Sequence, residues 1–235
     1  MRGKMPPPSD LSFCSSPQAW FVALQALYLV GGYTPEKTRS ILWHAAASSV
    51  SVAGIQLSAH ANPSAPPKVF ATARKDDKCK FAVTKLGATA TVNIAQHPDK
   101  RSWAGAVKAL NGGQGVDLVV DFLGGPYIES NLDVLAIDGS IVQLGWLGGP
   151  ITEGSVNIAC IMTKRARVQG SQLRSRDLEY QVKVAELFVE KVLPGLVDGR
   201  LKHVVDKVVP WERVQEAHEL MESNQVKGKI VCVIE

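Results

Sequence analysis

Short apolar runs alternate along the chain with longer segments in which apolar residues recur at helical spacing. The clearest unit spans residues 40–74, where the apolar run 41–43 ends at a cluster of small residues. An amphipathic segment at 50–60 follows, and a second apolar run at 69–73 comes after a proline-rich break. This order is typical of a strand, a tight turn, a helix and a second strand, which together begin a parallel sheet.

The same alternation continues to about residue 200. Further helices are predicted at residues 18–30, 76–86, 103–110, 128–136 and 178–192. Further strands are predicted at residues 91–93, 116–121, 140–144 and 167–170. Strands that alternate with helices and are apolar almost throughout indicate an α/β fold with a doubly wound parallel sheet, as in Rossmann domains.

The last part of the chain follows a different pattern. A strand at 204–209, a helix at 214–223 and a strand at 230–234 are predicted there. This order does not continue the earlier alternation of strands and helices. We therefore expect residues 201–235 to belong to a second substructure.

The small residues after the first strand lie where a dinucleotide-binding protein carries the fingerprint G-x-G-x-x-G. Ala46, Ser48 and Ser51 fill its three glycine positions here. Free backbone N–H groups and the helix dipole favour a phosphate at such a turn, and a serine hydroxyl can donate to a phosphate oxygen. The alternative is a serine-capped helix that binds no ligand.

The end of the second strand indicates which cofactor is bound. An acidic residue about 20 residues beyond the turn binds the ribose 2′-hydroxyl of NAD, but this chain has Thr72, Ala73 and Arg74 there. A cation and a small hydroxyl suit a 2′-phosphate, and Lys78, one turn into the next helix, can reach the same group. The sequence therefore predicts NADPH as the cofactor. The alternative is a solvated cluster of charges.

Composition excludes several classes of function. The 235 residues are 46% hydrophobic and 20% charged, which is ordinary for a soluble globular protein. A net charge of +4 is too balanced to indicate a nucleic-acid-binding protein. The apolar run at 20–30 is too short to span a bilayer, so we expect no membrane partner.

The cysteines and histidines indicate no metal site. The four cysteines lie far apart, with no C-x-x-C pair: Cys14, Cys79, Cys160 and Cys232. Neither a disulfide scaffold nor a zinc site is suggested, and a reducing compartment such as the cytoplasm fits. His44 is interpreted as a packing residue at the end of a strand, because no nucleophile or metal ligand accompanies it. No catalytic residue is assigned.

Several segments, taken in order, resemble a known superfamily. They are H-A-A-A-S-S-V-S-V-A-G-I-Q-L, K-L-G-A-T, G-V-D-L-V-V-D-F-L-G-G-P-Y, L-A-I-D-G-S-I-V-Q-L-G, G-S-Q-L-R-S-R and A-H-E-L-M-E-S-N-Q-V-K-G-K-I-V. The chain resembles the medium-chain dehydrogenase/reductase superfamily, and within it the zeta-crystallin-like NADPH:quinone oxidoreductase branch. That branch is zinc-free.

The resemblance implies a particular division into domains. The family pairs a GroES-like catalytic domain with a Rossmann domain, and most of the GroES-like part is missing here. Residues 1–39 are expected to be a remnant of the catalytic domain with a joining helix. Residues 40–200 are the expected Rossmann domain, and residues 201–235 the tail that returns to the catalytic domain.

The resemblance also implies a wider set of cofactor contacts. Ser49 and Val50 belong to the phosphate turn, and Asn93 lies near the adenosine. The loops after the fourth, fifth and sixth strands are expected to flank the ribose and nicotinamide. Their residues are Phe122, Gly124, Gly145, Leu147, Leu173 and Arg174. For the glycines, ordinary turns without a ligand are an equally good interpretation.

Two functions from different classes remain open. The first is an NADPH-dependent oxidoreductase that reduces quinones or activated alkenes and carbonyls. The second is a non-catalytic NADP-binding or interaction protein. We also expect a homodimer, because an uncovered edge strand at 167–170 tends to pair.

Loss of the catalytic domain predicts an exposed apolar surface. Trp20, Phe21, Leu24 and Leu27 lie in the joining helix, which the family packs against the missing domain. A contiguous apolar patch of this kind indicates a partner or a tendency to aggregate. The C-terminal tail is expected to cover only part of it.

Overall fold

The structure is a computed structural model. It describes residues 17–97, 99, 102–152 and 154–234. The first 16 residues, which include Cys14, lie outside the described residues.

Six parallel strands form the central sheet. They are β1 (Ser40–Trp43), β2 (Lys68–Ala73), β3 (Ala90–Asn93), β4 (Val116–Asp121), β5 (Leu135–Gln143) and β6 (Arg167–Gly170). Their order in the sheet is β3-β2-β1-β4-β5-β6, and every neighbouring pair is parallel. This is the order of a Rossmann sheet, with its topological switch point between β1 and β4. The predicted doubly wound α/β fold is confirmed.

Helices connect the strands of this sheet. They are α1 (Pro17–Leu24), α2 (Ser49–Ala59), α3 (Asp76–Leu86), α4 (Ser102–Leu110), α5 (Ile128–Val134), α6 (Ala159–Thr163), α7 (Leu178–Lys191) and α8 (Leu193–Val197). None of the helices among the described residues is long and apolar enough to cross a membrane.

The C-terminal residues build a second, two-stranded parallel sheet. It pairs β7 (Val205–Pro210) with β8 (Lys229–Val233), and α9 (Val214–Glu222) connects them. This agrees with the prediction that the tail departs from the earlier alternation. The tail nevertheless contacts the turn between β1 and α2, because Gly228 forms an isolated parallel bridge with Ser48.

Three predicted helices differ in detail. The helix expected at 18–30 is α-helical only to Leu24 and continues as a π-helical turn over Gln25–Val30. The helix expected to end at residue 136 ends at Val134, because β5 begins directly after it. The helix predicted at 178–192 ends at Lys191. Pro194 lies in the first turn of the next helix, α8, where a backbone N–H would have no helical partner.

Helix α2 was predicted to be amphipathic, but it has no exposed polar face. Every residue from 51 to 58 is buried, because the helix lies between β1, β2, α1 and α3. A helix that is covered on all sides needs no polar face. Its three buried polar side chains find partners: Ser51 Oγ donates to the His44 carbonyl at 2.6 Å, Ser58 Oγ accepts from Trp43 Nε1 at 3.0 Å, and Gln56 Nε2 donates to the Lys202 carbonyl at 3.0 Å.

The prediction of an exposed apolar surface on the joining helix is wrong. Trp20 is 2% exposed, and Leu24 and Leu27 are fully buried in the same core as β1 and α2. Phe21 is partly buried, with its ring edge-on to Phe188 of α7 at 5.0 Å between centroids. The Trp20 indole donates to His203 Nδ1 at 3.3 Å. Helix α7 and the tail therefore provide the cover that was expected to be missing.

The closest approach of helix and strand in this core lies at Gly54. A methyl group added there would fall less than 3.0 Å from three atoms of the Trp43 indole. Both residues are at the centre of the contact between α2 and the sheet. Glycine is required here for packing rather than for an unusual backbone angle.

We predict opposite effects for two helical glycines. Gly54→Ala should lower the free energy of unfolding by roughly 1–3 kcal/mol, because it overpacks the Trp43 contact. Gly105→Ala in α4 meets nothing within 4 Å and should raise it by up to about 1 kcal/mol through helix propensity. Urea denaturation measures both changes. A neutral or stabilising Gly54→Ala would show that α2 can move away from the sheet.

Candidate functional site

The predicted cofactor residues lie along one edge of the sheet. Because the strands are parallel, their carboxyl ends share that edge, which is where α/β proteins bind ligands. From one side to the other, the sheet order brings together the ends of β3, β2, β1, β4, β5 and β6. The residues concerned are Asn93, then Thr72, Ala73, Arg74 and Lys78, then Ala46, Ser48, Ser49, Val50 and Ser51, then Phe122 and Gly124, then Gly145 and Leu147, and finally Leu173 and Arg174.

The turn after β1 leads directly into α2. Ser48 is the N-cap, with extended backbone angles of φ −65° and ψ 143°, so this position does not require glycine. Its side chain makes no capping hydrogen bond, and the amides of Ser49 and Val50 find no acceptor among the described residues. Free N–H groups at a helix N-terminus are suited to an anion.

Two of the turn residues have other roles. Ser51 is buried, and its hydroxyl donates to the His44 carbonyl at 2.6 Å, so it does not face a ligand. Ala46 is buried, and its amide donates to the Thr72 carbonyl at 2.8 Å. Ala45 has a positive φ of 48°, the conformation that glycine adopts most easily. The fingerprint did not single out Ala45, because its spacing starts one residue later.

The end of β2 separates buried from exposed residues. Thr72 is fully buried and its hydroxyl lies 2.9 Å from His44 Nδ1, so in this arrangement the hydroxyl is directed to His44 and not to the exposed edge where the phosphate is expected. Ala73 is buried as well. Arg74 is exposed and Lys78 is partly buried. Burial, followed by the charge of Lys75, lowers the pKa of Lys78.

The loops after β4 and β5 form one rigid unit. Leu147 N donates to the Phe122 carbonyl at 2.9 Å, and Gly125 N donates to the Gly149 carbonyl at 2.9 Å. Gly124 has φ +91°, and a Cβ there would fall 2.7 Å from the Gly149 carbonyl oxygen. Leu147 is 80% exposed and lies on the outside of this unit.

The two outer strands carry the remaining expected residues. The Asn93 amide donates to Asp76 Oδ1 at 2.6 Å and its Oδ1 accepts from Ala95 N, so the side chain joins β3 to the start of α3. Leu173 is partly buried and Arg174 exposed in the loop after β6. At the start of that loop, Ser171 Oγ accepts a 2.6 Å hydrogen bond from Gln25 of the π-helical turn.

A chain of buried polar groups lies beneath this edge. His44 Nδ1 is 2.9 Å from Thr72 Oγ1, and His44 Nε2 is 2.8 Å from Asn131 Oδ1. The Asn131 amide donates to Asp121 Oδ2 at 3.0 Å. All four residues are fully buried. The predicted packing role of His44 thus includes a hydrogen-bonded link between β1, β2 and α5.

The hydrogen bonds determine the protonation of His44. The Asp121 carboxylate can only accept, so Asn131 donates to it and turns its carbonyl towards His44. His44 Nε2 therefore carries the proton, and Nδ1 accepts from the Thr72 hydroxyl. Burial lowers the pKa of His44 below its ordinary value of 6.5. The imidazole is neutral in this arrangement.

Asp121 connects this chain to the loop after β4. Its carboxylate accepts from the amides of Leu123, at 2.6 Å, and Gly124, at 3.3 Å. Sequence reasoning missed this role, although an aspartate at the end of the apolar run V-D-L-V-V-D was a visible signal.

No zinc site is available in the part of the chain that the structure describes. No group of three or more His, Cys, Asp or Glu side chains there could hold a metal ion. A catalytic zinc needs three such ligands. We therefore derive no step through a metal.

We predict that stability falls between pH 7.5 and 5.5. The unfolded chain protonates histidine as the pH falls through about 6.5, whereas folded His44 and His203 have pKa values that burial lowers. The unfolded state then binds more protons, so the free energy of unfolding decreases by at most about 1.4 kcal/mol per pH unit for each group. Urea denaturation across this range measures it. A His203→Asn variant isolates the share of His44, and a flat profile in that variant would contradict the neutral assignment.

Comparison with known proteins identifies relatives. The family described as zinc-binding dehydrogenase matches residues 50–190. Quinone oxidoreductase-like protein 2 of Bos taurus is 29% identical over 164 residues, covering 70% of this chain and 45% of that protein. A crystal structure of an NAD-dependent alcohol dehydrogenase is 33% identical with a TM-score of 0.75, covering 93% of this chain and 57% of the other.

A further solved structure has the same fold. The quinone oxidoreductase of Thermus thermophilus, which was also solved in complex with NADPH, is 24% identical with a TM-score of 0.74. The match covers 96% of this chain and 69% of the chain in that structure. The chain thus spans about half the length of the bovine relative and rather more of the solved structures. Because the family match includes more than half of its residues, the chain belongs to the zinc-binding dehydrogenase family of the medium-chain dehydrogenase/reductase superfamily.

Proposed function

We propose that this chain binds NADPH along the carboxyl edge of its sheet and serves an oxidoreductase of the quinone reductase type. The observation that carries the proposal is the pairing of two features on neighbouring strands. The uncapped N-terminus of α2 follows β1, and the cations Arg74 and Lys78 follow β2 without any acidic residue at the end of that strand. The first suits a pyrophosphate and the second a 2′-phosphate.

In this proposal the turn after β1 binds the pyrophosphate through its backbone. The amides of Ser49 and Val50 donate to phosphate oxygens, and the dipole of α2 adds a favourable potential. The hydroxyls of Ser48 and Ser49 are partly exposed and can donate as well. Ala46 and Ser51 contribute by close packing, since both are buried.

The choice between NADPH and NADH depends on this chain's own residues. One similar structure is that of an NAD-dependent enzyme and another was solved with NADPH, so the relatives do not decide it. Arg74 can form charge-assisted bidentate hydrogen bonds to a phosphate, and Lys78 adds a second positive charge. An acidic residue that would favour NAD is absent from residues 72–75.

The loops after β4 and β5 are proposed to flank the nicotinamide. When bound, NADPH supplies a hydride, which with a proton reduces a quinone, an activated alkene or a carbonyl. Phe122 and Gly124 form the floor of this region, and the hydrogen bonds between the two loops hold it in place. Exposed Trp146 and Leu147 can exclude water from a bound ring. We propose no catalytic residue.

A second candidate is an NADP-binding or interaction protein without catalysis. The observation that favours it is the exposure of Trp146, Leu147 and Ile151, at 60%, 80% and 79%, beside the expected nicotinamide position. Contiguous exposed apolar groups are typical of a surface that meets a partner. NADPH oxidation in the presence of a simple quinone separates the candidates: binding without oxidation favours this second one.

We also propose a homodimer formed through the edge of β6. All four residues of this strand are exposed, and Val168, Ile158 and Met162 present apolar side chains near it. An unprotected edge strand pairs readily with a copy of itself. Residues 154–176 with their cations are proposed to lie at this interface and not at a nucleic acid.

We predict that the chain binds NADPH more tightly than NADH. Arg74→Ala should weaken NADPH binding by about 1.5–3 kcal/mol, the scale of a charge-assisted hydrogen bond, and leave NADH nearly unchanged. Titration of protein fluorescence with each cofactor measures this. The control is Lys85→Ala, which removes an equal charge at the other end of α3. Equal affinity of the unaltered protein for the two cofactors would contradict the proposal.

We predict a dimer at micromolar concentration in sedimentation experiments. Val168→Lys should weaken it, because the change adds a charge to an exposed apolar position on the edge strand. Val208→Lys, on the outside of β7 and similarly exposed at 44%, serves as the matched control. A monomer in the unaltered protein, or equal effects of both substitutions, would argue against this interface.

A further inference from the structure

The C-terminal tail docks directly on the proposed pyrophosphate turn. Gly228 N donates to the Ala47 carbonyl at 2.9 Å, and Gly228 bridges Ser48. Gly228 has φ +88°, and a Cβ there would overlap the Val204 carbonyl. Only glycine allows this approach, so the position of the neighbouring residues relative to the turn is fixed.

This docking brings Lys227 to the start of α3. Lys227 Nζ lies 2.7 Å from Asp77 Oδ2, in the first turn of that helix. The Lys227 side chain is 29% exposed and that of Asp77 is 56% exposed. Asp77 immediately precedes Lys78, so a cation from the far end of the chain lies beside the end of β2.

Arg74, Lys75 and Lys78 lie between the end of β2 and the first turn of α3. Together with Lys227 they are here called the β2 cation cluster. Lys227 is one of the positive charges that, after burial, lower the pKa of Lys78. In the described ranges only Lys227 of the cluster has a carboxylate within 4.0 Å. The other three have no carboxylate within 4.0 Å in the described ranges, although Asp77 and Asp206 act on Lys78 from farther away and raise its pKa. A cluster with more cations than carboxylates attracts an anion.

We infer that Lys227 is a specificity-determining residue that the tail delivers to the 2′-phosphate of NADPH, and that Asp77 holds it in place until the phosphate binds. The inference rests on the proposed function and names a contact within it. A phosphate dianion carries more charge than the exposed Asp77 carboxylate and offers more acceptor oxygens. The Lys227 ammonium can therefore turn from Asp77 to the phosphate, while the bridge at Gly228 keeps its backbone fixed.

The experiment uses the full chain and two small probes, 2′,5′-ADP and 5′-AMP, which differ only in the 2′-phosphate. Calorimetric titration gives the affinity for each. Lys227→Gln should weaken 2′,5′-ADP binding about tenfold and change 5′-AMP binding less than twofold, whereas Lys227→Arg should keep the preference. Asp77→Asn should strengthen 2′,5′-ADP binding, because it releases Lys227. The matched control Lys85→Gln should change neither.

The outcomes distinguish this inference from the proposed function. If the unaltered chain binds 2′,5′-ADP no better than 5′-AMP, both are overturned. If it prefers 2′,5′-ADP and Arg74→Ala removes that preference but Lys227→Gln does not, only the role of Lys227 is overturned. A Lys227→Gln variant that weakens both probes equally also overturns it, since that result indicates a displaced turn. A smaller dependence of 2′,5′-ADP affinity on salt in Lys227→Gln supports the direct contact.

Discussion

The carboxyl edge of the sheet depends on one buried carboxylate. Asp121 has no access to solvent, and a charge in that position is tolerated only when hydrogen bonds compensate for lost hydration. Such bonds reach it from the Asn131 side chain and from two amides of the loop after β4. These hydrogen bonds hold the loop after β4 and helix α5 in place. Through Asn131 and His44 the same network reaches Thr72 at the end of β2. The arrangement of the site thus follows from the solvation of a single side chain.

The second constraint is the packing of the C-terminal tail against α1, α2 and the turn after β1. Trp20 of α1 contacts His203, Gln56 of α2 bonds to Lys202 in both directions, and Gly228 bonds to Ala47. Each contact joins the C-terminal tail to the first unit of the sheet, where local pairing alone would leave polar groups unpaired. The tail therefore packs directly against the carboxyl edge of the sheet, and the two substructures share their boundary.

Sequence patterns predicted the central strands β1, β2 and β4 well, because these strands are largely apolar and buried. They failed where burial depends on distant contacts. The helix with Trp20 and Leu24 was expected to be exposed, since nothing local shows that α7 and the tail cover it. Thr72 was expected at a ligand because its position follows a known spacing, but the direction of its hydroxyl depends on His44. Lys227 was missed for the same reason, because Asp77 lies far away in the sequence. Asp121 was missed although its partners lie within ten residues of it.

The contact between Gly228 and the turn at Ser48 also bears on how the chain folds. The two residues are separated by 180 positions (228 − 48), about three quarters of the 235 residues. Closing so long a loop carries a large entropic cost, and contacts of this separation slow folding. On the ribosome, the turn after β1 is made long before Gly228, so its Ala47 carbonyl has no such partner until the tail docks. The turn at Ser48 thus reaches its final form only after the tail has folded against it.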